Sequence, residues 1–438
     1  MRIVLLSIVA VTGSAAVPGR LHARQETGAA DTLRLGALQA SAIARDPRDR
    51  QVELLESQSA VRVRSIGTEW LPRIDAAAQA QYQSEVVSLP FDPPGGASAF
   101  APPHDTYDAY IRVRQPLLDP ALGARRSIER ARLAESQAGV RSTLFALRQS
   151  VADAFFAVLS LDAQRAELET GLGDIDAQLR VARQRVEAGD ALPGEAMALE
   201  AERLRRRQSL AGIAVEQAAA RAVLADLTGE ATGERPLALP ELAGAVSRAR
   251  AGADVSRARP EHARFAGARS VLAAESASLG RRAWPRLSAV GRAGAGRPGL
   301  NPLGDSFGSY WLAALQLEWT PFDWGRTRLD RQALAIQREI VASEEAAFTD
   351  GIRRRAVRDL AAIDRLEAAL TADDAIIPLR EAVLRETRAR FSEGVVTSAT
   401  FVDRETDLLS ARIARAIHRV ELAEARARYL TLLGLEPD

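Results

Sequence analysis

Few residues of this chain have the side chains and spacing that catalysis requires. Residues 304–308 read Gly-Asp-Ser-Phe-Gly and match the G-x-S-x-G pattern, in which the serine acts as a nucleophile. That arrangement needs a strand before the serine and a helix after it, whereas a strand-like segment follows here. A secreted hydrolase that uses Ser306 is therefore a minor hypothesis, and it predicts that Ser306→Ala abolishes activity.

Metal, cofactor and nucleic-acid sites are also poorly supported. The four histidines, at positions 22, 104, 262 and 418, are scattered, and none has a second ligand three or four residues away. The run GRAGAG at 291–296 lacks the context of a dinucleotide loop, and Arg205 to Arg207 are more typical of a solvated helix face than of a nucleic-acid patch. We expect no catalytic residue, no cofactor, no metal site and no nucleic-acid partner.

Composition excludes further chemistry. The 438 residues include 58 basic ones, all of them arginine, and no cysteine. Lysine-dependent catalysis, thiolate chemistry, disulfides and an acylated cysteine anchor are therefore excluded. The 57 acidic residues leave a net charge of +1, so no global field draws the protein to nucleic acid or to an anionic surface.

The N-terminus has the three parts of a secretory signal, which we assign to residues 1–23. Arg2 precedes the apolar run 3–11, and small residues follow at 13–16. Cleavage near Ala16 fits better than cleavage near Ala23, and an ordinary buried first helix is the alternative. Because about 18 consecutive apolar residues occur nowhere else, we predict an exported chain without a transmembrane helix.

The remainder of the chain consists of two sequence repeats. Proline and glycine anchors recur at a constant offset of 205 residues: Pro116 with Pro321, Gly189 with Gly394, and Gly229 with Gly434. We predict a first repeat at 24–229, a linker at 230–240 and a second repeat at 241–438. Each repeat would hold shorter helices, two strands, a very long helix, a turn and a second long helix.

The long helices follow from a heptad spacing of apolar residues, as at Leu144, Val151 and Val158. One helix from about Asp119 to Arg185 would be roughly 100 Å long. No compact globular domain needs a helix of that length.

Alternating residues predict strand pairs at 72–84 and 106–116 in the first repeat, and at 285–296 and 309–321 in the second. Segments rich in proline and glycine, at 89–105 and 296–309, would be outward loops. One side of the strands has the residues of a lipid-facing belt: Tyr82, Tyr107, Trp311, Leu315, Leu317 and Trp319. The two tryptophans would lie roughly 20 Å apart along a membrane normal. Taken by itself, the 309–321 segment fits equally well a strand that packs on a soluble core.

Together these features resemble the TolC-type outer-membrane efflux protein family, over essentially the whole mature chain. The resemblance rests on LQLEWTPFDWGRTR at 315–328, on RARFSEGVVTSATFVDRETDLL at 388–409 and on RYLTLLGL at 428–435. It implies a mainly α fold in which long helical hairpins form a periplasmic α-barrel. Four strands per chain would contribute to a trimeric, twelve-stranded β-barrel in the outer membrane.

The family also implies roles for residues at the hairpin turns. Gly189 and Gly394 would lie at the periplasmic tip that docks onto an adaptor protein. Glu195 and Asp403 match acidic residues of the narrow entrance, and Phe391 matches a constricting aromatic. A ring of three carboxylates would favour cations and could bind metal ions at the mouth.

This sequence departs from the family pattern near the entrance, with Val396 in place of a gating arginine and Thr400 in place of a second acid. Structural alternatives also exist for the three entrance residues. Glu195 could complement a helix dipole, Asp403 could pair with an arginine, and Phe391 could pack the hairpin.

The function implied is a passive exit duct in the outer membrane, without enzymatic turnover. Its partners would be two further copies of the chain, outer-membrane lipid, a periplasmic adaptor and an inner-membrane pump of an efflux or type I secretion system. The alternative is a periplasmic coiled-coil scaffold or adaptor protein. Drug, metal and protein export all remain open.

Overall fold

The computed structural model describes residues 32–86, 103–251, 258–300 and 305–436. The signal peptide expected at 1–23 lies outside the described residues, as does most of the loop expected at 89–105. Part of the loop expected at 296–309 lies outside them as well.

The same order of elements, two helices, two strands and two helices, occurs twice along the chain. In the first half these are α1 Leu35–Arg45, α2 Arg50–Thr68, β1 Arg73–Tyr82, β2 Asp105–Leu118, α3 Ala121–Ala188 and α4 Pro193–Thr228. In the second half they are α5 Ala243–Ala251, α6 Pro260–Arg282, β3 Arg286–Arg297, β4 Gly308–Glu318, α7 Arg326–Ser392 and α8 Ser398–Leu432. Each strand expected from the sequence overlaps an observed one.

The two longest helices, α3 and α7, have 68 and 67 residues, so each is roughly 100 Å long. Pro120 directly precedes α3, a position at which proline disrupts no helical hydrogen bond. Pro193 begins α4 in the same way. Helix α7 contains Pro378, which lacks the amide proton for the bond to the carbonyl one turn earlier.

The strands form one antiparallel sheet in the order β1-β2-β3-β4. Ile111 of β2 pairs with Ala76 of β1 on one side and with Ala293 of β3 on the other, and Ala293 pairs with Trp311 of β4. This register aligns the apolar sides of the strands on one face. In the described sheet, β1 and β4 are the edges.

The core consists of two clusters. The larger one joins α1 and α5 to the middle of α3 and the end of α8, with Phe155, Phe156 and Leu430 fully buried. The smaller one lies near the hairpin turns and includes Ile175, Phe391 and others. The long helices thus pack against each other in two regions, one around the middle of α3 and one near the hairpin turns.

The segment expected to be a linker, 230–240, is held firmly by the first residues of the described chain. The amide of Leu33 donates to the carbonyl of Pro236 at 2.9 Å, and the amide of Ala238 donates to the carbonyl of Leu33 at 2.9 Å. Leu237 is buried. This segment therefore belongs to the larger core cluster.

Among the described residues, one helix, α3, contains a stretch that is long and apolar enough to cross a membrane by length and composition alone. The sequence analysis expected none. Val151, Phe155 and Val158 of this helix are buried in the larger core cluster. Packing between helices therefore accounts for its apolar character.

Candidate functional site

The two faces of the sheet differ in chemistry. All six residues expected in the lipid-facing belt are 42–77% exposed in the single chain: Tyr82, Tyr107, Trp311, Leu315, Leu317 and Trp319. The same face of β2 exposes Ile111. Exposed apolar side chains on one face of a sheet, with tryptophans toward both ends, are typical of a wall that faces lipid.

The opposite face is polar and internally bonded. Asp108 forms an ion pair with Arg292 and accepts a hydrogen bond from the Tyr310 hydroxyl. The Arg292 guanidinium lies 3.7 Å from the centroid of the Tyr110 ring, and Arg112 Nη2 donates to the Tyr110 hydroxyl at 2.7 Å. A polar inner face behind an apolar outer one is the pattern of a membrane barrel that encloses water.

Both hairpins end in a glycine with left-handed backbone geometry. Gly189 has φ +82° at the end of α3, and Gly394 has φ +74° just after α7. A side chain would be strained at these angles. Exposed apolar residues stand nearby, with Leu192 beside the first turn and Val395 beside the second.

Phe391, the aromatic residue expected at the entrance, is buried within the single chain. Its side chain is only 1% exposed, and its ring stacks on Phe401 with centroids 5.5 Å apart. Arg185 of the other hairpin donates from Nη1 to the Phe391 carbonyl at 2.8 Å. The structure thus places Phe391 in the packing between the two hairpins, which is the structural alternative given for this residue.

The two acidic residues expected at the entrance lie on different hairpins. Glu195 is half-buried in the first turn of α4, where a carboxylate also complements the helix dipole. Asp403 is exposed on the second turn of α8. Within the described chain, Asp403 forms no ion pair with an arginine.

Sequence reasoning misjudged Arg206. The run Arg205 to Arg207 was interpreted as a solvated face, but Arg206 is 2% exposed and bridges Glu202 and Glu405. Its Nη1 also donates to the Gly171 carbonyl at 2.8 Å. The spacing of Glu202 and Arg206, four residues apart on one helix, was a readable signal for the local pair, whereas Glu405 is 199 residues away from Arg206.

The residues once considered for chemistry are not brought together. Ser306 precedes β4, and Gly304 of the same pattern lies outside the described residues. His104 Nδ1 lies 2.8 Å from the Gln83 carbonyl oxygen, and His418 Nδ1 lies 2.7 Å from an Asp373 carboxylate oxygen. Among the described residues, no group of three His, Asp or Glu side chains could hold a metal ion.

Comparison with known proteins agrees with this geometry. Residues 38–230 match the family model described as outer membrane efflux protein. The fold is similar to that of CusC, with a TM-score of 0.67, 15% identity and 92% of each chain covered. The first half of the chain is therefore similar to the outer membrane efflux protein family.

Two further solved structures share the fold of this chain. VceC of Vibrio cholerae has a TM-score of 0.65 and 15% identity, over 92% of this chain and 97% of that one. The open-state MtrE channel of Neisseria gonorrhoeae has a TM-score of 0.63 and 19% identity, over 92% and 90%. No match was found among curated proteins.

The match to this family model favours the channel over the periplasmic scaffold. The chain has the TolC-like architecture of long helical hairpins joined to a four-stranded antiparallel sheet. The solved structures that share this fold include an outer membrane protein and an outer membrane channel.

Proposed function

We propose that this chain is one subunit of a homotrimeric exit duct in the outer membrane, through which a separate pump drives its substrates. The observation that supports this most strongly is the sheet, which exposes an apolar belt bounded by Trp311 and Trp319 and is continuous with helices of 68 and 67 residues. A soluble scaffold has no use for such a belt.

Closure by assembly follows from the open edges of the sheet. Strands β1 and β4 each leave a row of backbone groups without a strand partner among the described residues. Lipid cannot satisfy these groups, so β4 of one copy should pair with β1 of the next. Three copies of four strands would give a closed barrel of twelve.

The helices have matching free edges. Helix α7 packs on α6 and α8 within the chain, and α2 packs on α3. Apolar side chains remain exposed on the far side of both: Leu329, Ile336 and Ile340 on α7, and Leu54 and Val61 on α2. Contact between α7 of one copy and α2 of the next would cover them.

The hairpin turns would form the tip that docks onto a periplasmic adaptor. Gly189 and Gly394 fix the shape of the turns, and Leu192 and Val395 offer apolar contact. Glu195 and Asp403, repeated in three copies, would surround the entrance and favour cations. The energy for transport would come from the pump, and this chain would catalyse no reaction.

Fractionation of a Gram-negative host that expresses the full chain tests the proposal. We expect the chain in the outer membrane, with chemical crosslinking of the purified membrane fraction yielding a trimer. A soluble periplasmic monomer would overturn the barrel assignment and favour a scaffold.

A further inference from the structure

An arginine-lined cavity lies where the end of α8 meets α3 and α7. Its volume is about 690 Å³. The charged residues that line it are Arg259, Arg355, Arg358, Arg428, Asp153 and Asp359. Guanidinium groups therefore outnumber carboxylates in its wall.

Two of these arginines are already neutralised by nearby acids. Arg428 Nε lies 3.1 Å from an Asp359 carboxylate oxygen, and Arg259 forms an ion pair with Glu261. Arg259 also lies over the Phe145 ring, 4.7 Å from its centroid, which adds an aromatic surface to the cavity.

The other two arginines have no charged partner among the described residues. Arg355 and Arg358 form no ion pair or hydrogen bond with any residue that the structure describes, and both are exposed. The remaining carboxylate, Asp153, accepts a hydrogen bond from Gln149 at 2.6 Å. The cavity thus presents two guanidinium groups, one turn apart on α7, that are unpaired within the described part of the chain.

The cavity opens on the side of the helical layer that would face the tunnel. Helix α1 packs on one face of α3, where Val151 and Phe155 are buried and Gln39 donates to the Arg148 carbonyl. The cavity is lined by Ala146, Gln149 and Asp153 from the opposite face of α3. Because a conducting tunnel must be free of packed helices, the face opposite α1 is the inner one.

We propose that this cavity is a binding site for organic anions with two or more acidic groups, in the wall of the tunnel. The proposal rests on the proposed function for its place in a lumen. Guanidinium groups bind carboxylate, sulfonate and phosphate oxygens through charge-assisted hydrogen bonds, and Phe145 would contact an aromatic frame. A trimer would repeat the site three times at one height of the tunnel, well removed from the carboxylates of the tip.

The test is an equilibrium titration of the purified full-length protein with 8-hydroxypyrene-1,3,6-trisulfonate, followed by fluorescence anisotropy at low salt. We expect the Arg355→Gln/Arg358→Gln variant to bind the probe roughly tenfold more weakly or worse, because charged hydrogen bonds are lost. Arg355→Lys/Arg358→Lys should retain part of the affinity, since it keeps the charge.

The matched control is Arg353→Gln/Arg354→Gln, which removes the same charge from the same helix outside the cavity. Arg353 pairs with Asp350 at 2.7 Å. The control should bind the probe as the unchanged protein does. Equal affinity in all variants, or an equal loss in the control, would overturn the proposal, because binding would then not depend on the cavity.

Conductance of the same preparations in planar bilayers separates this inference from the proposed function. Conducting channels without arginine-dependent probe binding would refute only the anion site. Arginine-dependent binding by a protein that neither trimerises nor conducts would support the site and refute the duct.

Discussion

Arg206 of α4 and Glu405 of α8 form a buried ion pair that joins the two helical hairpins. Both side chains are almost fully enclosed, and Arg206 Nη1 donates to Glu405 Oε1 at 2.8 Å. Glu202 accepts from Arg206 Nε at 2.8 Å. Burial alone would lower the pKa of Arg206, but its hydrogen bonds to Glu405 and Glu202 outweigh that effect and raise the pKa. The arginine therefore stays charged and is compensated by two acids.

Removing this arginine should destabilise the hairpin pair strongly. Arg206→Met leaves Glu405 buried without a cation and leaves Glu202 with only the exposed Arg205, and an uncompensated buried charge typically costs about 3–5 kcal/mol. The midpoint of thermal unfolding, followed by far-ultraviolet circular dichroism, should fall. Adding Glu202→Gln and Glu405→Gln to the same variant should recover part of the loss, because no uncompensated charge then remains.

The control for this prediction is Arg205→Met, one residue earlier. Arg205 also contacts Glu202, but its side chain is 61% exposed. Exposed ion pairs contribute at most about 1 kcal/mol. A drop in stability for Arg205→Met as large as that for Arg206→Met would show that the buried bridge is not the cause.

The lipid-facing belt predicts that neighbouring residues of β4 differ in their tolerance of a charged side chain. Leu315 is exposed midway between Trp311 and Trp319, so Leu315→Arg should place a charge near the middle of the membrane. Such substitutions cost about 2–4 kcal/mol in membrane barrels. The fraction of heat-modifiable trimer in outer-membrane extracts should fall.

Gln316→Arg is the matched control, because successive strand residues point to opposite faces of the sheet. On the polar face an arginine should be tolerated, and the trimer yield should stay close to that of the unchanged protein. Equal losses for both substitutions would contradict the assignment of the two faces.

The left-handed backbone geometry at Gly394 should make even alanine destabilising at this position. At φ +74°, a Cβ at this position would approach Arg185 Nη2 to 3.0 Å. Gly394→Ala should therefore destabilise the turn by roughly 1–2 kcal/mol and speed limited proteolysis at the tip. If the tip docks onto an adaptor, efflux in the native host should also decline while the trimer persists.

Gly173→Ala provides the comparison, since this glycine lies within α3 and a Cβ there would meet open space. Alanine is favoured over glycine inside a helix by roughly 0.5–1 kcal/mol. We therefore expect Gly173→Ala to be neutral or stabilising. Loss of stability in both variants would argue against a special backbone geometry at Gly394.

The helices, strands and turns could be predicted because the spacing of apolar residues and the positions of proline and glycine are local properties of the chain. The step of three and four residues from Leu144 to Val158 reports helix packing directly, and alternation around Trp311 reports a strand with two different faces. Gly189 and Gly394 marked the turns because few other residues adopt positive φ. Most of the architecture was readable for this reason.

Contacts between distant segments were not readable in the same way. Arg206 looked like a solvated residue because its partner Glu405 belongs to another hairpin. The stacking of Phe391 on Phe401 also depends on the fold, since Phe401 comes after the turn. The pairing of the expected linker, 230–240, with Leu33 likewise depends on the fold. Long-range pairing is set by the tertiary structure, which spacing along the chain does not encode.

The contacts of Glu345 should make the stability of the fold depend on pH. The Glu345 carboxylate oxygen Oε1 lies 3.0 Å from His262 Nδ1, and Oε2 forms an ion pair with Arg269. These hydrogen bonds, first that of His262 and then that of Arg269, lower the pKa of Glu345. Because the folded-state pKa lies below the unfolded one, the carboxylate stabilises the fold above the unfolded pKa of about 4.3. This contribution is lost as the pH falls through the lowered folded-state value.

Glu345→Gln should therefore lower the unfolding midpoint at pH 7, and the difference from the unchanged protein should shrink as the pH falls below about 4. Glu344→Gln is the control, because Glu344 is exposed and forms no ion pair among the described residues. Its unfolding midpoint should follow that of the unchanged protein at every pH. A Glu345→Gln difference that stays constant from pH 7 to pH 3 would show that the side chain contributes through packing rather than through its charge.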